Sequence, residues 1–156
     1  MINLRWARWI TASVNEYLND SLKASLGDNV VFNLEGEVAP DQRKHQVWIE
    51  GRMDGPFYRP ISAGRWYLWV EINLLVSASI NEESVYVYRD YAAACAKALS
   101  GSIDLYKFGD DIEDDGSQIG CLLLGEIYQN HLGKIHPTTL LQQATIETRA
   151  FVELDE

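Results

Sequence analysis

The side chains in this sequence that could act as nucleophile or base are a few cysteines and histidines. Cys95 could act as a thiolate with a histidine as its base, the three candidates being His45, His131 and His136. Cys95, however, lies on the apolar face of an alanine-rich helical pattern, where a buried and inert thiol is expected. The sequence contains no glycine-rich nucleotide-binding motif, no zinc-protease motif and no nucleophile elbow. We therefore expect neither enzymatic activity nor a cofactor.

Metal binding is the next chemistry that the residue types allow. His131 and His136 stand five positions apart with Glu126 nearby, but this spacing matches no helical or turn-based ligand pair. We interpret them as solvated loop histidines and predict no metal site there.

The spacing of acidic residues in segment 110–116 partly matches that of a calcium-binding loop, which we call the calcium-loop register. Four of its residues fall at positions one, three, five and six of such a loop: Asp111, Glu113, Asp115 and Gly116. The twelfth position is Leu122 instead of a bidentate glutamate, so we expect a solvated acidic loop and keep a calcium- or ligand-binding module as the alternative. If several copies surrounded a channel, the loop carboxylates would repel a DNA backbone: Asp110, Asp111, Glu113, Asp114 and Asp115.

Aromatic side chains point to contacts with other proteins. Residues 56–60 contain Phe57, Tyr58 and Arg59, residue types that are enriched in binding hot spots, and they either contact another chain or fold back on their own domain. In two segments of alternating polar and apolar residues, Trp48 and Trp69 stand at positions of the polar set. A monomer would therefore expose both indoles. We predict that a neighbouring subunit covers the two indoles, and all five side chains are candidates for a subunit or partner interface.

Charge and composition exclude several classes of protein. The 156 residues carry 23 Asp and Glu against 13 Lys and Arg, a net charge of −10, which disfavours a DNA-binding surface. Two cysteines are too few for a disulfide framework or a four-cysteine zinc site. The sequence shows neither a bilayer-spanning apolar stretch nor an apolar signal core, so we expect synthesis in the cytoplasm and no membrane association.

Two segments have helical periodicity. Apolar residues recur at steps of three and four from residue 3 to residue 26, and Gly27 follows as a favourable terminator. A second helix is predicted over residues 84–100, preceded by a capping sequence at residues 81–84 and ended by Gly101.

The remaining segments favour strands. Residues 65–80 are apolar at every even position, which predicts a strand on the order of 50 Å long that projects partly as a hairpin. Its partner is predicted at residues 46–53, and the glycines and prolines of residues 54–64 favour an irregular connection. Further strands are expected at residues 30–37, 102–108, 119–129 and 141–154. These elements predict one α+β domain over residues 1–156, with two helices packed on a mainly antiparallel, sandwich-like sheet.

This order of elements resembles the tail terminator proteins of long-tailed bacteriophages. The resemblance spans nearly the whole chain and includes the N-terminal helix, the alternating strand from residue 65, the helix that follows it at once, the acidic turn and the last strand at residues 144–153.

The resemblance implies a structural protein without catalytic residues. Such proteins form a hexameric ring that caps the tail tube, ends its polymerisation and presents a surface to the head connector. It implies a place at the head-proximal end of the virion tail, with the tail tube protein and the connector as partners. Six copies would carry a charge of −60, and DNA would pass through without specific binding. A tail tube subunit and a head-tail joining protein are the alternatives.

Overall fold

The computed structural model describes residues 2–35, 47–79, 84–134 and 141–156. Within these ranges the chain forms two helices and seven strands: α1 Trp6–Leu26, β1 Phe32–Leu34, β2 Val47–Ser62, β3 Arg65–Ser79, α2 Ser84–Ala98, β4 Ser102–Tyr106, β5 Gln118–Leu124, β6 Tyr128–Lys134 and β7 Leu141–Asp155. The chain is α+β, as predicted. His45, His136 and the capping residues 81–83 lie outside the described residues.

The seven strands form one sheet in the order β1-β2-β3-β7-β5-β4, with β6 also paired to β7. The pairing of β1 with β2 is parallel, and every other pairing is antiparallel. The sheet is therefore mainly antiparallel, as the alternating patterns indicate.

Strand β3 organises the core. Its even-numbered side chains are buried: Leu68, Val70, Ile72, Leu74, Val76 and Ala78. They pack in one hydrophobic core with the buried stripe of α1 and the alanine-rich face of α2. Burying each large aliphatic side chain contributes about 1.5–3 kcal/mol. The odd-numbered side chains lie on the opposite face, which we call the outer face.

The hairpin of β2 and β3 does not project from the sheet. Strand β7 pairs with β3 along the full length of β3, from Arg65 to Ser79. The predicted projection is therefore wrong, because the last strand of the chain is as long as β3 and supports it throughout.

The segment 54–64 is also more regular than predicted. Strand β2 continues to Ser62 and a tight turn at Ala63 and Gly64 leads into β3. Between the pairs Asp54–Glu71 and Phe57–Trp69 the register shifts, and β2 holds one residue more than β3. Glycine and proline thus form a β-bulge inside the strand, in place of a loop.

The predicted strand over residues 119–129 is two strands. Strand β5 pairs with β7 at Leu123 and Leu124, whereas β6 pairs with residues 142–147 of β7. Between them the Gly125 N–H donates to the Arg149 carbonyl at 2.7 Å, and a Cβ at Gly125 would lie 3.1 Å from that oxygen. This close approach lets β5 and β6 occupy two halves of one edge of β7.

The two helices follow the sequence pattern closely. Helix α1 ends at Leu26, and Gly27 has a φ of 91°, which a glycine adopts without steric cost. Among the described residues no helix combines the length and the apolar character that crossing a membrane requires.

The bulge generates a prediction about Gly55. Its φ is 105°, and an added Cβ would lie 3.0 Å from both the Phe57 nitrogen and the Trp69 carbonyl oxygen. Gly55→Ala should therefore lower the free energy of unfolding by about 2 kcal/mol or more. Gly64→Ala is the matched control, because Gly64 also has a positive φ but nothing lies within 4 Å of its added Cβ. Urea unfolding checks both variants, and equal losses would contradict the steric argument.

Candidate assembly surface

Aromatic side chains form a continuous cluster on the outer face. Phe57 and Trp69 stack with ring centroids 5.3 Å apart, Tyr67 lies 6.1 Å from Trp69, and Tyr67 stacks on Phe151 at 5.8 Å. We call these four residues the aromatic row. Leu123 on β5 stands directly opposite Phe151 and is 63% exposed, so the apolar surface crosses β2, β3, β7 and β5.

The bulge in β2 places Phe57 in this row. Before the bulge the odd-numbered residues Val47, Ile49 and Met53 are buried. The extra residue reverses the parity, so Phe57 lies on the outer face beside Trp69 and Tyr58 turns toward the core. Pairs of this kind contribute about 0.5–1.5 kcal/mol beyond the area they bury, so these contacts favour the observed arrangement of the row.

Two of the five predicted interface residues lie elsewhere. Trp48 is 5% exposed, because Val31 packs over it and its Nε1 donates to the Glu50 carboxylate at 3.1 Å. The prediction that a monomer exposes Trp48 is therefore wrong. Tyr58 packs against the core, and its partial burial raises the pKa of its hydroxyl. Phe57 and Arg59 are exposed and Trp69 is half-buried, so these three lie on the outer face without such a cover among the described residues.

Ion pairs and hydrogen bonds border the aromatic row. Arg65 pairs with Glu153 at 2.8 Å and with Asp155 at 3.3 Å, and on the other side Arg149 pairs with Glu71 at 3.1 Å. A groove of about 600 Å³ begins there. An apolar strip with a polar border is the usual composition of a protein–protein interface.

The groove beside the row is acidic. Arg149 lines it together with four carboxylates, those of Asp54, Glu71, Glu126 and Glu147. The Tyr128 hydroxyl donates to Glu126 at 3.0 Å, and this bond to a carboxylate raises the pKa of the tyrosine. A partner that reaches into the groove therefore meets a surface of net negative charge.

The acidic loop is held against the start of α1. Arg5 contacts three of its carboxylates, those of Asp111 at 2.7 Å, Glu113 at 3.1 Å and Asp114 at 3.1 Å. These contacts raise the pKa of Arg5, chiefly through the hydrogen bond to Asp111. The N-terminus of α1 carries no acidic residue of its own in its first turn, so the loop supplies negative charge where the helix dipole favours it.

Asp114 is the centre of this contact. Its side chain is inaccessible to solvent, and it accepts hydrogen bonds from Trp9 Nε1 at 2.6 Å and from the Asp111 N–H at 3.1 Å. The Trp9 bond, with smaller contributions from the Asp111 N–H and from Arg5 and Arg8, lowers the pKa of Asp114.

The other loop carboxylates do not gather around a cation position. Asp115 accepts hydrogen bonds from the N–H and the hydroxyl of Ser117, which lower its pKa, whereas Asp110 is exposed. Among the described residues no group of three or more His, Cys, Asp or Glu is arranged to hold a metal ion. The three carboxylates of the calcium-loop register, those of Asp111, Glu113 and Asp115, thus bond to Arg5 and Ser117.

Cys95 and His131 occupy different environments. Cys95 is fully buried in α2, and burial raises the pKa of its thiol to about 12. The second cysteine, Cys121, is half-buried on β5. His131 lies on strand β6 and not in a loop as predicted, and it contacts the Tyr88 hydroxyl at 3.0 Å and the Gln129 amide at 2.8 Å. A thiol that stays protonated at neutral pH is a poor nucleophile.

Comparison of the whole fold finds solved structures of similar architecture. One chain of a structure described as "Virion of native gene transfer agent (GTA) particle" aligns with a TM-score of 0.54 over 97% of this chain and 99% of that chain, at 15% identity. A second solved chain, whose description gives no function, aligns with a TM-score of 0.49 over 96% of both chains at 14% identity. No family model matches the sequence, and a search of curated proteins finds no match. The first alignment shows that the complete fold, and not a fragment of it, occurs in a gene transfer agent particle.

Sequence reasoning missed three residues of these surfaces. Tyr67 and Phe151 have the same local signal as Trp69, a large aromatic side chain on the polar parity of an alternating strand, so the pattern could have identified them. Arg5 gives no such signal, because it is one cation near a helix start and its partners lie more than 100 positions away.

The loop contact predicts a specific dependence on pH. Because the folded-state pKa of Asp114 is lowered, its carboxylate stabilises the fold above the usual pKa of aspartate, about 4, and this contribution is lost as the pH falls through the lower folded-state value. Asp114→Asn should therefore lower Tm at pH 7, and the difference from the natural sequence should shrink as the pH drops below about 4. Thermal unfolding between pH 7 and pH 2 measures this, with Asp110→Asn as the exposed control. A difference that is constant across the range would contradict the assignment.

Proposed function

We propose that this chain is a structural subunit of a phage-like virion, and that it serves as the tail terminator. In this role it forms a hexameric ring that caps the tail tube, stops its polymerisation and provides the surface on which the head connector docks. We assign it a structural and not a catalytic role. The observation that carries the proposal is the alignment of the complete fold with a chain of a gene transfer agent virion.

The aromatic row supports an assembly role independently of that alignment. Phe57 and Leu123 are 38% and 63% exposed at the two ends of an apolar strip that spans four strands. Contiguous apolar strips with a polar border mark sites where a protein contacts another protein. We infer that the row faces a neighbouring subunit, the tail tube protein or the connector.

The charge of the chain is consistent with a conduit for DNA. A ring of six copies carries −60, and a channel lined by part of that charge lets a duplex pass without binding it. The loop that holds Asp110 and Asp115 supplies exposed carboxylates for such a lining, whereas Asp114 is engaged by α1 and contributes little to the surface.

The mass of the purified assembly tests the proposal. Six copies of 17.7 kDa give about 106 kDa, and we expect light scattering to report this mass and electron microscopy to show single rings end-on. Added to the tail tube protein of the same particle, the chain should produce tubes with one closed end. Long hollow tubes formed by this chain alone would indicate a tube subunit instead, and a monomer at every concentration would contradict the assembly role.

Substitution within the aromatic row tests its part in assembly. Trp69→Ser should leave the fold intact, because Trp69 lies outside the core, but should raise the protein concentration needed for assembly by about tenfold or more. Tyr86→Ser is the matched control, since Tyr86 is 76% exposed on α2, and α2 packs on the core face of the sheet, opposite the row. Sedimentation velocity over a dilution series compares the variants, and equal assembly of both would show that the row is not an interface.

A further inference from the structure

At both ends of the sheet lies a strand segment that pairs with another strand on one side only among the described residues. Strand β1 covers β2 only at residues 49–51, and the Glu35 carboxylate accepts from the Met53 N–H at 2.7 Å, so no described strand pairs with the far side of residues 54–62. At the opposite end β4 pairs with β5 alone among the described strands. Open strand edges are surfaces on which another strand can pair.

The two open edges lie at the same position along the strand direction, which we call the same height in the sheet. One line of paired residues connects them without interruption, running through Phe57, Trp69, Phe151, Leu123 and Ser102. Four successive antiparallel pairings separate β2 from β4, so these two strands run in the same direction.

Arg59 lies on β2 two positions after Phe57, and Asp104 lies on β4 two positions after Ser102. Both side chains are exposed, since their neighbours Tyr58 and Ile103 face the core. Arg59 and Asp104 therefore occupy the same face and the same height at opposite edges of one sheet.

The charges at the two edges are complementary. Arg59 makes no ion pair with another described residue, whereas each of the arginines Arg52, Arg65 and Arg149 on the same face has a carboxylate partner. Beside the β4 edge, a groove of about 240 Å³ runs between α1 and β4 and is lined by the carboxylates of Glu16, Asp20 and Asp104 and by no basic side chain of the described residues. The polar contacts of Asp104 include the neutral Gln118 amide at 3.2 Å.

We propose that the β2 edge of one copy docks against the β4 edge of the next copy, with Arg59 beside Asp104 and the acidic groove. The partner at each edge is thus a second copy of this chain, and the inference rests on the assembly role proposed above. The contact is heterologous, because two different surfaces meet. Edges without an offset along the strands are compatible with a closed ring, which forms when the rotation from one copy to the next divides a full turn.

The β4 edge is already ordered for this contact. The Tyr106 N–H donates to the Ser13 hydroxyl of α1 at 2.9 Å, which fixes the end of β4 against the helix, while Ser102 and Asp104 are exposed. On the opposite edge, Pro60 lacks an N–H, as is common for residues on an open edge, so side-chain contacts carry much of the specificity.

Complementary charge reversals test the contact. Arg59→Glu alone places a carboxylate beside Asp104, and Asp104→Lys alone places a cation beside Arg59, so each variant should need about tenfold more protein to assemble. An equimolar mixture of the two variants should assemble like the natural chain. In a ring of alternating variants, each introduced carboxylate meets an introduced ammonium group, and each remaining Arg59 meets a remaining Asp104.

Arg52→Glu provides the matched control, because Arg52 is exposed on β2 and pairs with Asp54 at 3.1 Å but stands away from the proposed contact. It should assemble normally, and thermal unfolding should report folded chains for all variants. Rings that form equally well from each single variant, or a mixture that stays dissociated, would overturn the contact while leaving the assembly role intact. A natural chain that never assembles would overturn both.

Discussion

One extra residue in β2 determines which side chains the outer face of the sheet presents. Without the bulge at Gly55 and Pro56, the alternation of β2 would place Phe57 in the core and Tyr58 on the surface. With it, Phe57 joins Trp69, Tyr67 and Phe151 in one apolar row, and Arg59 reaches the same face. The bulge can do this because β3 is paired on both sides along its length, so its own alternation is fixed and only β2 can shift.

Sequence reasoning succeeds where local periodicity is long and uninterrupted. The apolar stripe of α1, the terminating Gly27 and the alternation of β3 and β7 need no information from distant residues, and all appear in the structure. Sequence reasoning fails where the same residue types occur in two kinds of local structure. Glycine and proline occur in loops and in bulges alike, and only the pairing with β3 decides between them.

The surfaces are less predictable than the core, because their partners are distant in sequence. The alternating pattern places Trp48 on the correct face, but its burial depends on Val31 folding over the outer face, which no local pattern reveals. In the same way, the acidic loop has the composition of a solvated turn, yet Arg5 and Trp9 hold it from the other end of the chain. The chain is strongly acidic, so the location of its few arginines carries more information than the location of its many carboxylates.

The two cysteines differ in a way that has a practical consequence. Cys95 is enclosed in α2 with a thiol pKa of about 12, whereas Cys121 is half-buried on β5, opposite Asp104 in the sheet register. Thiol-reactive reagents require a thiolate that they can reach. A maleimide dye should therefore attach at Cys121 alone, which gives the unaltered chain a single fluorescent reporter next to one edge of its sheet.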